Sequence, residues 1–166
     1  MNNKNLVSPA QQKYNIARTN LLLMIAFTLL NIILLFAKAN YMMLFSATVP
    51  YFSVVIGMED GSGMLLVPSI LVAAITLILY FLCWLLSKRS WVWMIVALVL
   101  FALDSLVLVG LYVMMQEASG ILDFLIHGWV LYYLIMGVKY GKQLKAQPAQ
   151  EAEIPQQPQP PVSPEI

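Results

Sequence analysis

Four polar residues stand inside long apolar runs of the sequence and are its candidates for chemistry. If these runs lie in a lipid bilayer, an ionisable side chain near the centre costs about 2.5 to 3.5 kcal/mol on insertion scales, so each requires a physical reason. Carboxylates and imidazoles in such positions often mark proton relays and ion paths. The candidate polar cluster consists of Asn31, Asp104, Asp123 and His127.

The spacing of these residues predicts which of them meet. A helix rises about 1.5 Å per residue, which places Asp104 and His127 each roughly 20 Å from the same, cytoplasmic face of a hydrocarbon core about 30 Å thick. We therefore expect the two side chains to lie at one depth. Asp123 and His127 are four residues apart and share a helix face.

Three roles are open for the cluster. Polar side chains that hydrogen-bond across helices in lipid help to hold a bundle together. Alternatively, Asp104 and His127 form a proton- or cation-responsive pair in a small transporter or channel subunit. For Asp123 alone, an acid near a helix start also caps that helix favourably.

Enzyme and metal chemistry find little support in the sequence. One histidine and two carboxylates on different helices lack the close His or Cys spacing that is typical of zinc. The acidic segment 59–63 is too short for a calcium loop and predicts a turn. The single cysteine, Cys83, cannot form an internal disulfide and is expected to be packed in a helix. We expect no catalytic residue, no metal site, no cofactor and no enzyme activity.

The elements that must position the cluster follow from composition. The chain has 166 residues, of which 61% are hydrophobic and 10% charged, against roughly half and a quarter in soluble domains. Its formal net charge of +1 argues against nucleic-acid binding, which requires clustered basic residues on a solvated face. The lipid bilayer is the expected medium.

Four apolar runs predict membrane-spanning helices, at residues 21–38, 64–86, 91–115 and 121–138. The first run could instead be the apolar region of a signal peptide with a cleavage motif at 37–39, but such regions usually run about 7 to 15 residues, and a span is the better interpretation. Segment 41–58 is rich in aromatic residues and holds Pro50 in its middle. We expect it to lie in the interface or to re-enter the membrane and return at Pro50.

Basic residues decide the orientation. With both termini in the cytoplasm and segment 41–58 not crossing, eight of the nine lysines and arginines lie inside and only Lys38 lies outside. If the segment crosses, the best arrangement gives six inside and three outside. The bias of lysine and arginine in short loops therefore favours four spans with both termini cytoplasmic.

Polar tails flank the predicted spans. Residues 1–20 are expected to be a cytoplasmic tail that enters the first helix, and residues 143–166, rich in proline and glutamine, a disordered cytoplasmic tail. Gly137 and Gly141 have the spacing that lets helices approach closely. Because Lys139 lies between them, we expect them to end the last helix.

Several short pieces of the chain carry a likeness to a known group. They are Ala17-Arg18-Thr19-Asn20, Leu44-Phe45-Ser46-Ala47, Leu82-Cys83-Trp84 and the segment 127–134. In these pieces and in the order of its apolar runs, the chain resembles a family of small, uncharacterised bacterial membrane proteins over roughly residues 17–142. That resemblance implies a bacterial plasma-membrane setting and carries no activity with it.

Together these patterns predict an all-α transmembrane bundle of about four helices, with an aromatic interfacial or re-entrant segment after the first helix. The expected function is interaction within the membrane, with a membrane protein or a second copy of the chain as the partner. The alternative is the proton- or cation-linked transporter or channel subunit.

Overall fold

Five α-helices form the regular structure of the chain in the computed structural model, which describes residues 8–39, 41, 43, 45–115 and 121–153. In chain order they are α1 (Pro9–Phe36), α2 (Thr48–Glu59), α3 (Leu66–Leu86), α4 (Val92–Met115) and α5 (Ile121–Glu153). Across these described ranges no strand occurs. The predicted all-α class is confirmed.

Four of the helices are long and apolar enough to cross a membrane, namely α1, α3, α4 and α5. The expected number of candidate spans is therefore confirmed. With 12 residues, α2 is only about 18 Å long, which is short of a hydrocarbon core of about 30 Å.

The surface of the bundle is apolar. In the most apolar window of α3 only 17% of the residues are buried, and side chains such as Leu71, Ile75 and Ile78 face outward. Soluble monomers rarely expose contiguous apolar patches larger than a few hundred Å². An apolar exterior around four long helices indicates a multi-pass membrane protein.

The first helix begins earlier than the predicted span. The Ser8 hydroxyl accepts a hydrogen bond from the Gln11 amide at 3.2 Å, and Pro9 occupies the first turn, where its missing N–H costs nothing. Residues 9–20 of the predicted tail are therefore helical, and residues 1–7 lie outside the described part of the chain.

The last helix is longer than predicted. It runs without a break from Ile121 to Glu153, so residues 143–153 of the predicted tail are helical, and residues 154–166 lie outside the described residues. The expectation that Gly137 and Gly141 end this helix is wrong. Both glycines lie inside α5 and face neighbouring helices, where they permit a close approach.

Gly141 is closely packed against neighbouring side chains, whereas Gly128 in the same helix is not. A Cβ atom added to Gly141 would lie 2.5 Å from Trp91 Cβ and 2.8 Å from Tyr14 Cε2, whereas one added to Gly128 would meet nothing within 4 Å. Crowding at Gly141 forces neighbouring side chains to move. At Gly128, alanine only improves helix propensity.

We therefore expect Gly141→Ala to lower the free energy of unfolding by about 1 to 3 kcal/mol, and Gly128→Ala to leave it unchanged or raise it by up to about 1 kcal/mol. Unfolding by SDS in mixed micelles, followed by circular dichroism, measures both. Equal effects of the two substitutions would contradict the close packing of α5 on α1 and α4.

The connection between α2 and α3 comprises residues 60–65 and contains the turn expected within segment 59–63. The Asp60 carboxylate accepts hydrogen bonds from the Ser62 hydroxyl at 2.7 Å and from the Leu65 amide at 3.0 Å. These bonds, that of Ser62 first, lower the pKa of Asp60 below its ordinary value. The turn brings α3 back along α2, where the missing side chain of Gly57 lets Ser69 approach.

Candidate functional site: a polar cluster around the start of α2

Asp104, near the middle of α4, binds the start of α2. Its two carboxylate oxygens accept hydrogen bonds from the backbone amides of Thr48 and Val49, both at 2.8 Å. The next residue is Pro50, which has no N–H to satisfy. The residue before the helix is Ala47, which makes no side-chain cap. A carboxylate from another helix thus caps α2 and lies at the positive end of its dipole.

His127, on α5, lies against both Asp104 and Thr48. Its Nε2 atom lies 3.4 Å from Asp104 Oδ2 and 3.1 Å from the Thr48 hydroxyl oxygen, and its Nδ1 atom lies 3.0 Å from the backbone carbonyl oxygen of Asp123. The Phe101 ring stacks on the imidazole with the ring centroids 5.0 Å apart. Both His127 and Asp104 are buried.

The hydrogen bonds of His127 define two arrangements. Because a carbonyl oxygen only accepts, Nδ1 carries a proton in both of them. In the neutral imidazole, Nε2 then accepts a hydrogen bond from the Thr48 hydroxyl. In the imidazolium, Nε2 donates instead, and Asp104 and Thr48 are the acceptors within reach.

The Asn31 side chain, on α1, forms hydrogen bonds with the segment that precedes α2. Its side-chain amide donates to the backbone carbonyl of Met43 at 2.7 Å and to the Ser46 hydroxyl at 2.9 Å, and its carbonyl oxygen accepts from the Met43 amide at 2.7 Å. The side chain is 1% exposed. Asn31 therefore pairs with the backbone of Met43 as a neighbouring strand would.

Thr28 lies one turn before Asn31 on the same face of α1. Its hydroxyl accepts a hydrogen bond from the Ala47 amide at 2.8 Å and donates to the backbone carbonyl of Met24 at 2.7 Å. Thr28, Ser46 and Thr48 were not among the candidate residues predicted from the sequence. The spacing of Thr28 and Asn31 on one helix face was the available signal.

Asp123 takes a different place from the other three predicted residues. Its carboxylate accepts a hydrogen bond from the Tyr112 hydroxyl, and only its backbone carbonyl reaches His127. The structure thus brings Asp104 and His127 together. It connects Asn31 to them through Met43, Ser46 and Thr48, and it directs the Asp123 side chain to Tyr112 on α4.

The path of the chain explains why these contacts form. After α1 the backbone reverses at Lys38, which adopts a left-handed φ of 53°. It then returns along α1 past Asn31 to Thr28, which lies about 12 Å below the end of that helix. From there α2 runs back along α3. A polypeptide that turns round inside an apolar bundle must satisfy its free backbone groups with side chains, and Thr28, Asn31 and Asp104 do so.

Two small cavities adjoin the cluster. One of about 80 Å³ touches Thr48, Asp123 and His127, and another of about 180 Å³ touches Val49, Tyr80 and Asp104. On the side of the cluster toward the α3–α4 turn, the core also contains Tyr80 and Cys83 of α3. Its other fully buried side chains, at most 1% exposed, are apolar: Leu21, Met24, Met94, Ala97, Phe101 and Leu134.

The described residues bring few potential metal ligands close together. Within the described ranges, no three histidine, cysteine, aspartate or glutamate side chains come together in a way that could hold a metal. Cys83 is buried in α3 and forms no disulfide.

Comparison of the chain with models of protein families, with curated proteins and with solved structures gave no match. Fold and site together define a class only: an all-helical protein with four candidate membrane spans and a buried polar cluster that anchors a fifth, short helix. The resemblance to small bacterial membrane proteins stays an expectation.

Proposed function

We propose that this chain is a four-span protein of the bacterial plasma membrane, with both termini in the cytoplasm, that acts by contact with other membrane components. The distribution of lysine and arginine supports the orientation, and the length of α2 supports its assignment as a re-entrant helix that does not cross. In this proposal the lipid bilayer surrounds the bundle. A membrane protein or a second copy of the chain is the partner, and no nucleic acid, cofactor or enzymatic reaction is involved.

The capping of α2 by Asp104 carries the proposal. Both oxygens of this carboxylate are engaged by backbone amides, and the Asn31 and Thr28 side chains are engaged in the same way. Among the described residues, no buried side-chain nitrogen or oxygen atom lacks a partner. The polar groups that could have formed a reaction centre therefore stabilise the fold.

The packing of the bundle supports the same conclusion. A proton path through one copy would continue from Asp104 toward the α3–α4 turn over about 20 Å. That distance is occupied by the buried apolar side chains of residues such as Phe101, Ala97 and Met94. These residues offer neither titratable groups nor hydrogen-bonding side chains, although the buried Tyr80 of α3 lies against Phe101 and lines the cavity beside Asp104. The packing therefore disfavours a proton path along α4.

The rival function is proton- or cation-linked transport. One observation favours it: His127 touches both Asp104 and a cavity of about 80 Å³ that also reaches Asp123. In this hypothesis the imidazole exchanges a proton with the cavity, and several copies of the chain together line the remaining route.

Reconstitution in vesicles that enclose a pH-sensitive dye separates the two functions. We expect the wild-type protein to give no proton flux above that of empty vesicles under a pH gradient or with an added monovalent cation. We expect Asp104→Asn to reduce assembly in lipid nanodiscs without changing that flux. A wild-type flux that disappears in Asp104→Asn at an equal amount of folded protein would establish transport and overturn the proposal.

A further inference from the structure

A second polar site lies at the end of the bundle where α3 turns into α4, about 20 Å along the helices from Asp104. A cleft of about 470 Å³ opens between the first turns of α1, the α3–α4 turn and the second half of α5. Four of the nine basic residues of the chain line it, and none of its lining residues is acidic. The basic residues are Arg18, Lys88, Arg89 and Lys145.

Arg18 is held in a fixed position in this cleft. Its Nε atom donates to the Ser87 hydroxyl at 2.8 Å, and one terminal nitrogen lies 3.3 Å from the backbone carbonyl of Trp84. The guanidinium also lies over the Trp84 ring, 5.7 Å from its centroid. Tyr14 supports the same turn through a 2.6 Å hydrogen bond from its hydroxyl to the Ser87 carbonyl.

The cations of the cleft have no protein counter-ion in the described part of the chain, where the single contact within 4 Å between a carboxylate and a basic side chain is that of Asp104 with His127. Lys88, Arg89 and Lys145 are exposed, whereas Arg18 is partly buried. Like charges that converge without a carboxylate repel one another, and a bound anion relieves this repulsion. A pre-positioned arginine with free N–H groups beside flexible lysines is the arrangement that proteins use for phosphate groups.

The depth of the cleft points to the membrane surface. Arg18 precedes the apolar run that starts at Leu21 by about 5 Å of helix, and Lys88 and Arg89 follow directly on the end of α3. Trp91, which lines the cleft, is of the residue type that concentrates at the headgroup level. Basic pockets between helix ends at this level bind lipid headgroups.

We propose that this cleft is a binding site for a phosphate group, carried either by an anionic phospholipid headgroup or by a free phosphate compound. Its volume lies within the range of small-molecule sites, about 300 to 1,000 Å³, and leaves room for more than one phosphate. The site is separate from the polar cluster at the start of α2 and extends the proposed function by a defined ligand.

Binding is measured by native mass spectrometry and by thermal unfolding of the full chain in micelles. The additions are cardiolipin, phosphatidylglycerol, phosphatidylcholine as the neutral control, and inorganic phosphate. The test variant is Lys88→Gln with Arg89→Gln, which changes two exposed residues of the cleft. The matched control is Lys139→Gln with Lys142→Gln, which removes the same charge from the same end of the bundle outside the cleft.

We expect saturable binding of one anionic ligand, weakened about 10- to 30-fold in Lys88→Gln/Arg89→Gln and less than about 3-fold in the control. If the anionic lipids bind and inorganic phosphate does not, the ligand of the cleft is a phospholipid headgroup. If inorganic phosphate competes with the lipids, the ligand is a free phosphate compound. An equal loss in both variants means a diffuse attraction and overturns the site. The proposed site is also overturned if the wild type binds none of the anionic additions more tightly than phosphatidylcholine.

Discussion

Replacement of Asp104 by alanine is expected to lower the free energy of unfolding by about 3 to 5 kcal/mol, the largest effect of any single substitution considered for this chain. The substitution leaves the amides of Thr48 and Val49 without acceptors in an apolar interior and removes the carboxylate that adjoins His127. An unsatisfied buried donor costs about 1 to 3 kcal/mol. The SDS titration described for Gly141 measures the total.

Hydrogen–deuterium exchange adds a local measurement to the same experiment. In the wild type the amides of Thr48, which is buried, and of Val49, which is partly buried, are both hydrogen-bonded, so we expect slow exchange in peptides that cover residues 45–55. In Asp104→Ala these amides exchange faster, while peptides from the middle of α3 change less. Faster exchange confined to the start of α2 separates the loss of a cap from general unfolding.

Two related variants show how the loss of stability depends on the carboxylate that is changed. Asp104→Asn keeps one acceptor oxygen and is expected to fall between the wild type and Asp104→Ala. Asp123→Asn changes a carboxylate about one helical turn away from the level of His127. This carboxylate is partly exposed and binds a hydroxyl, and we expect the substitution to cost at most about 1 kcal/mol. If Asp123→Asn proves as harmful as Asp104→Ala, burial of charge and not capping governs the stability of the cluster.

The second large effect is expected for Asn31→Leu. Leucine fits a helix in lipid well, so any loss of stability comes from the three hydrogen bonds of the Asn31 amide group to Met43 and Ser46. Both backbone groups of Met43 lose their side-chain partner. We expect a loss of about 2 to 4 kcal/mol in the free energy of unfolding and faster exchange of the Met43 amide.

Asn20 provides the matched control on the same helix. Its side chain donates only to the backbone carbonyl of Ile16, one turn earlier, so Asn20→Leu removes a local bond and exposes no unsatisfied group elsewhere. We expect a change within about 0.5 kcal/mol. Should Asn31→Leu be as mild as this control, the hydrogen bonds of Asn31 to Met43 and Ser46 do not anchor the chain to α1.

The two substitutions are expected to interact. Asn31 and Asp104 hold consecutive parts of one backbone segment, at Met43 and at Thr48. Once the hydrogen bonds of either residue are lost, the segment is already partly released, and the hydrogen bonds of the other residue contribute less to stability. The double variant should therefore lose less stability than the sum of the two single variants, by about 0.5 to 3 kcal/mol.

Much of the candidate cluster was predictable from the sequence by counting residues along helices. Asp104 and His127 were expected at one depth because the helical rise is constant, and the two side chains lie in contact. The roles of Thr28 and Thr48 were not predictable in the same way. A threonine in an apolar run often returns its hydroxyl to its own helix. Apart from the spacing of Thr28 with Asn31 on one helix face, nothing local distinguishes a threonine that also accepts a bond from another segment.

The ends of the helices were predicted less well than their number. Residues 9–20 and 143–153 are polar enough to be read as tails, yet they are helical. Tyr14 and Ala17 of α1 pack against Gly137 and Gly141 of α5. That packing depends on two segments more than a hundred residues apart, and helical stability in proteins comes mainly from such tertiary contacts.

The sequence alone therefore determined the number of long apolar helices and the depth of the polar residues inside them, because hydropathy and helical rise are local properties that add along the chain. The tertiary structure alone decided what those polar residues bind. Thr48 and Val49 start a helix that has no local cap, and the carboxylate that caps it comes from Asp104, 56 positions after Thr48. An apolar interior requires that the free amides find some acceptor, and only the packing of α4 against α2 selects which one.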